Sequence, residues 1–265
     1  MRKVYVTGDI HGDVRIIKRI CKKLNTDTSD TLILLGDVGI NYFFNERDTK
    51  AKKLLSVLPI TIFAVRGNHE ARPSRISNIQ MKKYWGGNVY YEEAYPNILY
   101  AIDCELYDIP LWYEVPDEWG DRWLTPTFYK TIVMGGAYSV DKYYRLRNGW
   151  SWFADEQLTE EEKWLAVDKF DKCRIDIVLT HTCPFSYMPT DLFLPQVDQS
   201  TVDNSQERFF QELEYMGNYQ AWLWGHYHAD RNYPQEDGKY RLMLLHEAID
   251  LAQYMETGEF NQGGI

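Results

Sequence analysis

Five apolar runs in this chain stop at the same kind of residue. The sequence reads Gly8-Asp9-Ile10-His11-Gly12 after the first, Gly36-Asp37-Val38-Gly39 after the second and Gly67-Asn68-His69-Glu70 after the third. Two later runs end at Thr180-His181-Thr182 and Gly225-His226-Tyr227-His228. Short, almost wholly apolar runs joined by amphipathic stretches predict parallel strands covered on both faces. Parallel neighbours bring their carboxyl ends to one edge of a sheet, where ligands gather in open α/β folds. At four of the five stops an adjacent glycine lets the backbone turn there.

The element order supports this placement. Residues 3–7, 31–35 and 60–65 are read as strands and 14–24 and 49–58 as helices, a βαβαβ pattern with right-handed crossovers. Beyond residue 84, short aromatic strands at about 88–91, 98–102, 105–110 and 131–135 predict an antiparallel stretch. A helix from about 155 to 170, a strand at 175–180, a helix at 205–216 and strands at 221–224 and 240–245 follow. The class is therefore mixed α/β. With no internal repeat or linker, residues 1–265 are read as one domain, with an aromatic-rich antiparallel portion at about 86–152 and a possible site-covering loop at about 185–204.

Composition narrows the partners. A formal charge of -10 argues against an extended surface for duplex DNA, whose binding rests on neutralising many phosphates. Cys21, Cys104, Cys173 and Cys183 are far apart and form no CxxC pair, which predicts reduced thiols rather than a zinc ribbon or disulfide framework. No run of about 18 apolar residues suggests a membrane span, and the first residues lack the pattern of a signal peptide. A soluble, cytoplasmic protein is expected.

Aspartate, asparagine and histidine at strand ends are ordinary turn residues when taken one motif at a time. Jointly they are not ordinary, because five of the six histidines fall in these motifs, beside carboxylates and an amide that are also metal-ligand types. Imidazole and carboxylate donors suit divalent ions such as manganese, iron, zinc, nickel or cobalt. Alternate residues of an extended segment point the same way, so Asp9 with His11, and His226 with His228, are expected to face one ion in pairs.

The ordered set GDIHG, GDVG, RGNHE, a strand-end TH and GHYH resembles that of the calcineurin-like metallophosphoesterases, over Asp9 to His228. The resemblance implies a four-layer αββα sandwich with a pair of metal ions at the sheet edge. Asp9, His11 and His228 would hold one ion and Asn68, His181 and His226 the other, with Asp37 shared. Two ions about 3.5–4 Å apart would activate a bridging hydroxide for in-line attack on phosphorus. Manganese is favoured, with iron, zinc, nickel, cobalt or magnesium as alternatives. His69 would protonate the leaving oxygen, and Asp37 would bridge the ions or orient His69. Glu70 is read either as the partner of a neighbouring imidazole or as a surface residue.

Substrate is less constrained. RGNHE resembles the Ser/Thr protein phosphatase branch, but Asp37 is followed by Val38-Gly39-Ile40-Asn41 rather than the Arg-Gly of those enzymes. The two histidines of GHYH resemble the nucleotide and nucleic-acid phosphodiesterases instead. Hydrolysis of phosphomono- or phosphodiesters of nucleotides or short nucleic acids is therefore expected, with a Ser/Thr/Tyr protein phosphatase or an inactive scaffold as alternatives. Tyr138 and Arg145 are the candidate substrate-binding residues, the arginine because a guanidinium grips a phosphate oxygen in two-pronged fashion. Arg66 is read as structural.

Overall fold

The computed structural model describes residues 2–233 and 237–260. Four strands, β1 (Val4–Thr7), β2 (Thr31–Leu34), β3 (Thr61–Ala64) and β6 (Ile98–Ala101), lie side by side and parallel in the first sheet. An antiparallel hairpin of β4 (Ile79–Tyr84) and β5 (Gly87–Glu92) extends that sheet beyond β6. In the second sheet β8 (Arg122–Met134), β9 (Ile177–Thr180), β10 (Ala221–Trp224) and β12 (Tyr240–Met243) run parallel, with β7 (Leu106–Pro116) and β11 (Arg231–Asn232) at the edges. The short β13 (Ile249–Asp250) pairs with β1 and closes the first sheet.

Period-two alternation divides each strand between two cores. Val4, Val6, Ile33, Phe63, Leu179 and Leu223 point between the sheets into one cluster. Tyr5, Leu32, Leu34 and Ile62 point outward, under α1 (Val14–Leu24) and α2 (Glu46–Ser56). On the far side Val178, Trp222 and Trp224 meet α4 (Glu160–Lys172) and α5 (Ser205–Met216) through Phe170, Phe210 and Leu213. The layers are helix, sheet, sheet, helix, as expected for the αββα class.

Several boundaries differ from the sequence reading for identifiable reasons. The helix expected from about residue 155 starts at Glu160, where Thr159 and Glu162 form a capping box; Asp155 instead pairs with Arg72 and Arg75. Helix α2 starts earlier than residue 49, capped by the Asn45 side chain on the Arg47 N–H. Strands expected at about 105–110 and 131–135 are one long hairpin, paired from Leu106 and Ile132 to Pro116 and Arg122. Pro110, Pro116 and Pro126 are accommodated because β7 is an edge strand and β9 pairs only with Thr131–Met134 of β8, so the distal ribbon leaves proline nitrogens unpaired without loss. The portion after residue 84 is also not wholly antiparallel, since β6 runs parallel to β3. A short helix α3 (Lys142–Arg147) follows β8 and carries Arg145. Among the described residues no helix is long and apolar enough to cross a membrane.

Candidate metal centre and cavity

All five motifs meet at one edge of the sandwich. Asp9 and His11 follow β1, Asp37 follows β2, and Asn68 and His69 follow β3; His181 follows β9, and His226 and His228 follow β10. Donors from two sheets can approach only where backbone replaces side chain. A Cβ on Gly36 would lie 2.1 Å from Nδ1 of His181, and one on Gly225 would lie 2.3 Å from Oδ1 of Asp9. Each glycine thus admits a donor from the opposite sheet.

Three overlapping groups of donors form, each with its atoms within 4.8 Å of one another: Asp9, His11 and His228; Asp9, Asp37 and His181; and His11, Asp37 and His69. Nε2 of His11 and Nε2 of His228 stand 2.9 Å apart, and Nε2 of His228 lies 3.5 Å from Oδ2 of Asp9. Nε2 of His181 is 2.9 Å from Oδ1 of Asn68 and 3.5 Å from Oδ2 of Asp37. His226 is in none of the three groups. Its half-buried ring packs edge-on against His181, with centroids 4.9 Å apart, and lines the adjoining cavity.

The extended backbone expected at these motifs is replaced by tight turns, although Asp9 and His11 still meet in one group. His11, Asp37, His226 and His228 have φ of 45, 47, 70 and 54°, in the left-handed region that side chains adopt at a cost. Hydrogen bonds to the motif carboxylates and carbonyls hold the turns. His226 N–H donates to both oxygens of Asp9 at 3.0 and 3.1 Å, His69 N–H to Oδ1 of Asp37 at 2.8 Å, and His11 N–H to the Asp37 carbonyl at 2.8 Å.

Supporting contacts select which atoms face the centre. Nδ1 of His181 donates to the Leu35 carbonyl at 2.7 Å, which leaves Nε2 directed inward. Nδ2 of Asn68 donates to Oγ of Ser139 at 2.8 Å, so Oδ1 is the atom turned to His181. Ser139 is held in turn by the Glu156 carboxylate through its N–H and hydroxyl. Ser139 and Glu156 escaped the sequence reading, because nothing local marks a serine and a glutamate 17 residues apart as a pair. Glu70 is neither an imidazole partner nor a surface residue: it is buried and accepts the N–H of Gly39 at 2.8 Å and of Gly67 at 3.3 Å, tying two motif turns together. Arg66 is structural, bound to Asp103 and to the Glu156 carbonyl.

The electrostatics are those of buried acids packed among imidazoles. Burial, with the neighbouring Asp37 adding to it, pushes Asp9 up to about 7. Against a burial penalty, the imidazoles of His181, His69 and His11 hold Asp37 well below the usual carboxylate range. His181 overcomes its own burial through Asp37 and Asp9 and is raised to about 9. Burial, with His181 adding, keeps His226 well below the usual imidazole range, and burial lowers His11 and His228. Imidazoles, carboxylates and an amide oxygen aimed at shared space are a donor set that fits divalent ions.

His69 and Arg145 are in contact. Nη2 of Arg145 points at Nε2 of His69, while Asp141 holds the guanidinium at Nε (2.8 Å) and Nη2 (2.7 Å). Arg145 is fully buried, and its Nη1 has no hydrogen-bond partner among the described residues. Burial lowers His69 to about 4, with Arg145 adding and Asp37 opposing. Tyr138 lies apart from this pair on the wall of a cavity of about 470 Å³ that opens beside Asp37, Asn68 and His69.

A two-sheet αββα sandwich with acid and imidazole donors at its strand ends defines a metal-dependent enzyme of phosphoester cleavage. The chain belongs to the calcineurin-like phosphoesterases, a family of dinuclear metal hydrolases, whose sequence profile matches residues 2–230. Solved structures similar to it include the TT1561 protein of Thermus thermophilus, at 12% identity, with 95% of each chain covered and a TM-score of 0.48. Phosphopantetheinyl hydrolase of Mycobacterium tuberculosis aligns at 14% identity over 98% of this chain and 93% of its own, with a TM-score of 0.46. A calcineurin-like phosphoesterase of Bacillus subtilis aligns at 16% identity over 91% and 80%, with a TM-score of 0.39. A search of curated proteins finds no match to the sequence.

Proposed function

We propose that this hydrolase cleaves phosphomono- or phosphodiesters of nucleotides or short nucleic acids at a two-ion centre. Asp9, His11 and His228 are assigned to one ion, Asn68, His181 and His226 to the other, and Asp37 to both. The observation that carries the reading is the convergence of donors from both sheets in three groups that share Asp9, Asp37 and His11. Manganese is the favoured metal, because the set mixes carboxylate and amide oxygens with imidazoles and contains no thiolate.

Divalent ions held there supply positive charge to phosphate oxygens and lower the pKa of bound water. The chain's residues do the rest. Asp37 accepts the backbone N–H of His69 and so holds the turn that carries that imidazole. Arg145, with its unpaired Nη1, is assigned to a non-bridging phosphate oxygen. When phosphate draws the guanidinium from His69, the Nε2 lone pair is freed to take up a proton from solvent and pass it to the leaving oxygen. Tyr138, on the cavity wall, is assigned to the departing group.

The test is turnover of mono- and diester substrates by manganese-loaded protein. His69→Ala is expected to lower kcat by roughly 10²–10⁴-fold, and Asp37→Ala to abolish turnover. Unchanged activity in both variants would overturn the assignment.

A further inference from the structure

The cavity beside the centre is chemically lopsided. Asp37, Asn68, His69, His226 and His228 line it from the centre, and Met188, Leu192, Phe193, Leu194, Val197 and Val202, all from one segment, form an apolar wall. Among the described residues that line it there is no lysine or arginine. Arg145 meets the lining through His69 and Asp141, whose carboxylate holds the guanidinium. At about 470 Å³ the cavity lies in the range of small-molecule sites.

This wall is fastened to the body of the protein. Phe193 stacks on Tyr227 with centroids 6.4 Å apart, and the Tyr227 hydroxyl is 3.0 Å from that of Thr182, next to His181. The Tyr233 hydroxyl donates to the Tyr187 carbonyl at 2.8 Å, and Arg231 grips both oxygens of Asp191 at 3.0 and 2.7 Å. The apolar side chains therefore meet a bound molecule as a preformed surface. Leu192 and Leu194 are 41% and 52% exposed, so their contact surface is open for a ligand to cover.

We infer that this wall is a leaving-group subsite, selecting phosphoesters whose departing alcohol is uncharged and carries an apolar or aromatic body, such as a nucleoside, over polyphosphates, polynucleotides and small hydrophilic alcohols. The inference rests on the phosphoesterase reading above and narrows it. Apolar area gains from leaving water, whereas a second phosphate would enter a space that has no cation to meet it.

The experiment compares kcat/KM of the manganese-loaded full chain for three esters of primary alcohols: n-hexyl phosphate, glycerol 3-phosphate and 1,6-hexanediol bisphosphate. Similar leaving-group acidity isolates binding from chemistry. Hexyl phosphate is expected to exceed each of the others tenfold or more. Calorimetry should rank hexylphosphonate above methylphosphonate by a similar factor. Leu192→Asp and Leu194→Asp, made separately at partly exposed positions, should collapse both ratios towards one. Equal turnover of the three esters, or ratios that survive both substitutions, would overturn the subsite and leave the phosphoesterase reading standing. Absence of turnover with every ester would remove the reading itself, and the subsite with it.

Discussion

Nη2 of Arg145 donates to Nε2 of His69, because a guanidinium has no acceptor. The imidazole proton is thereby assigned to Nδ1, and the nitrogen turned to Arg145 is the one proposed to protonate the leaving oxygen. Arg145 and His69 must then act as a unit. In a double-mutant cycle, Arg145→Ala and His69→Ala are expected each to lower kcat/KM by tenfold or more, and the double variant to fall well short of the product. Arg145→Lys should not restore activity, since an ammonium lacks the fork that Asp141 grips. Additive losses would separate the two residues.

Gly36→Ala is expected to strip the centre of metal. Its Cβ would sit 2.1 Å from Nδ1 of His181, at a φ of +101°, and break the hold of the Leu35 carbonyl on that ring. Metal content by emission spectroscopy should drop to a background level and the melting temperature should fall. Gly120→Ala is the comparison: its φ is +89° but nothing lies within 4 Å, so only a backbone cost of about 1 kcal/mol is expected, with metal retained.

Ser139→Ala removes the acceptor that sets the Asn68 amide. Loss of such an outer contact typically weakens metal binding by about 10–100-fold. Calorimetric titration with manganese should show this, while Ser200→Ala, on an exposed turn far along the chain, should bind as the parent does. Equal affinities for the parent and Ser139→Ala would remove Ser139 from the account.

Glu207 predicts a pH dependence of stability. Burial pushes this carboxyl up to about 7 from an ordinary 4.5, although the Thr182 hydroxyl donates to it at 2.7 Å. The folded state therefore holds the proton more tightly than the unfolded chain. The favourable difference is complete below about pH 4.5 and is lost as pH rises through about 7, at about 1.4 kcal/mol per unit. As pH rises through that window, the melting temperature of Glu207→Gln should gain steadily on that of the parent. Parallel curves would refute the assignment.

The donor types and the edge at which they meet were legible in the sequence, because strand, glycine and ligand fall within a few residues of one another. So were the two layers of apolar strands, from runs such as Ile177–Thr180 and Ala221–Trp224. What sequence did not disclose depends on distance. Glu156 reaches Ser139 across a helix and a loop, and Glu70 closes on Gly39 rather than on a ring. The extended backbone expected at Asp9–His11 is wrong because the Asp37 carbonyl captures the His11 N–H and turns the chain. Arg145 was named from its charge alone; its contact with His69 follows from α3, a helix that the polar sequence 142–147 did not announce.

The donor cluster is split across the chain, with Asp9, Asp37 and Asn68 on one sheet and His181, His226 and His228 on the other. Cutting the sequence between β6 and β8 would leave each fragment with three of these six side chains. His11, Asp37, His226 and His228 also sit in left-handed turns that a loose chain has no reason to keep. The pocket of ligands is thus no local motif that a peptide could carry, and it comes into being only when the two sheets close on each other. Metal retention would then serve as an assay of completed folding, and a chain arrested halfway would be unable to hydrolyse anything.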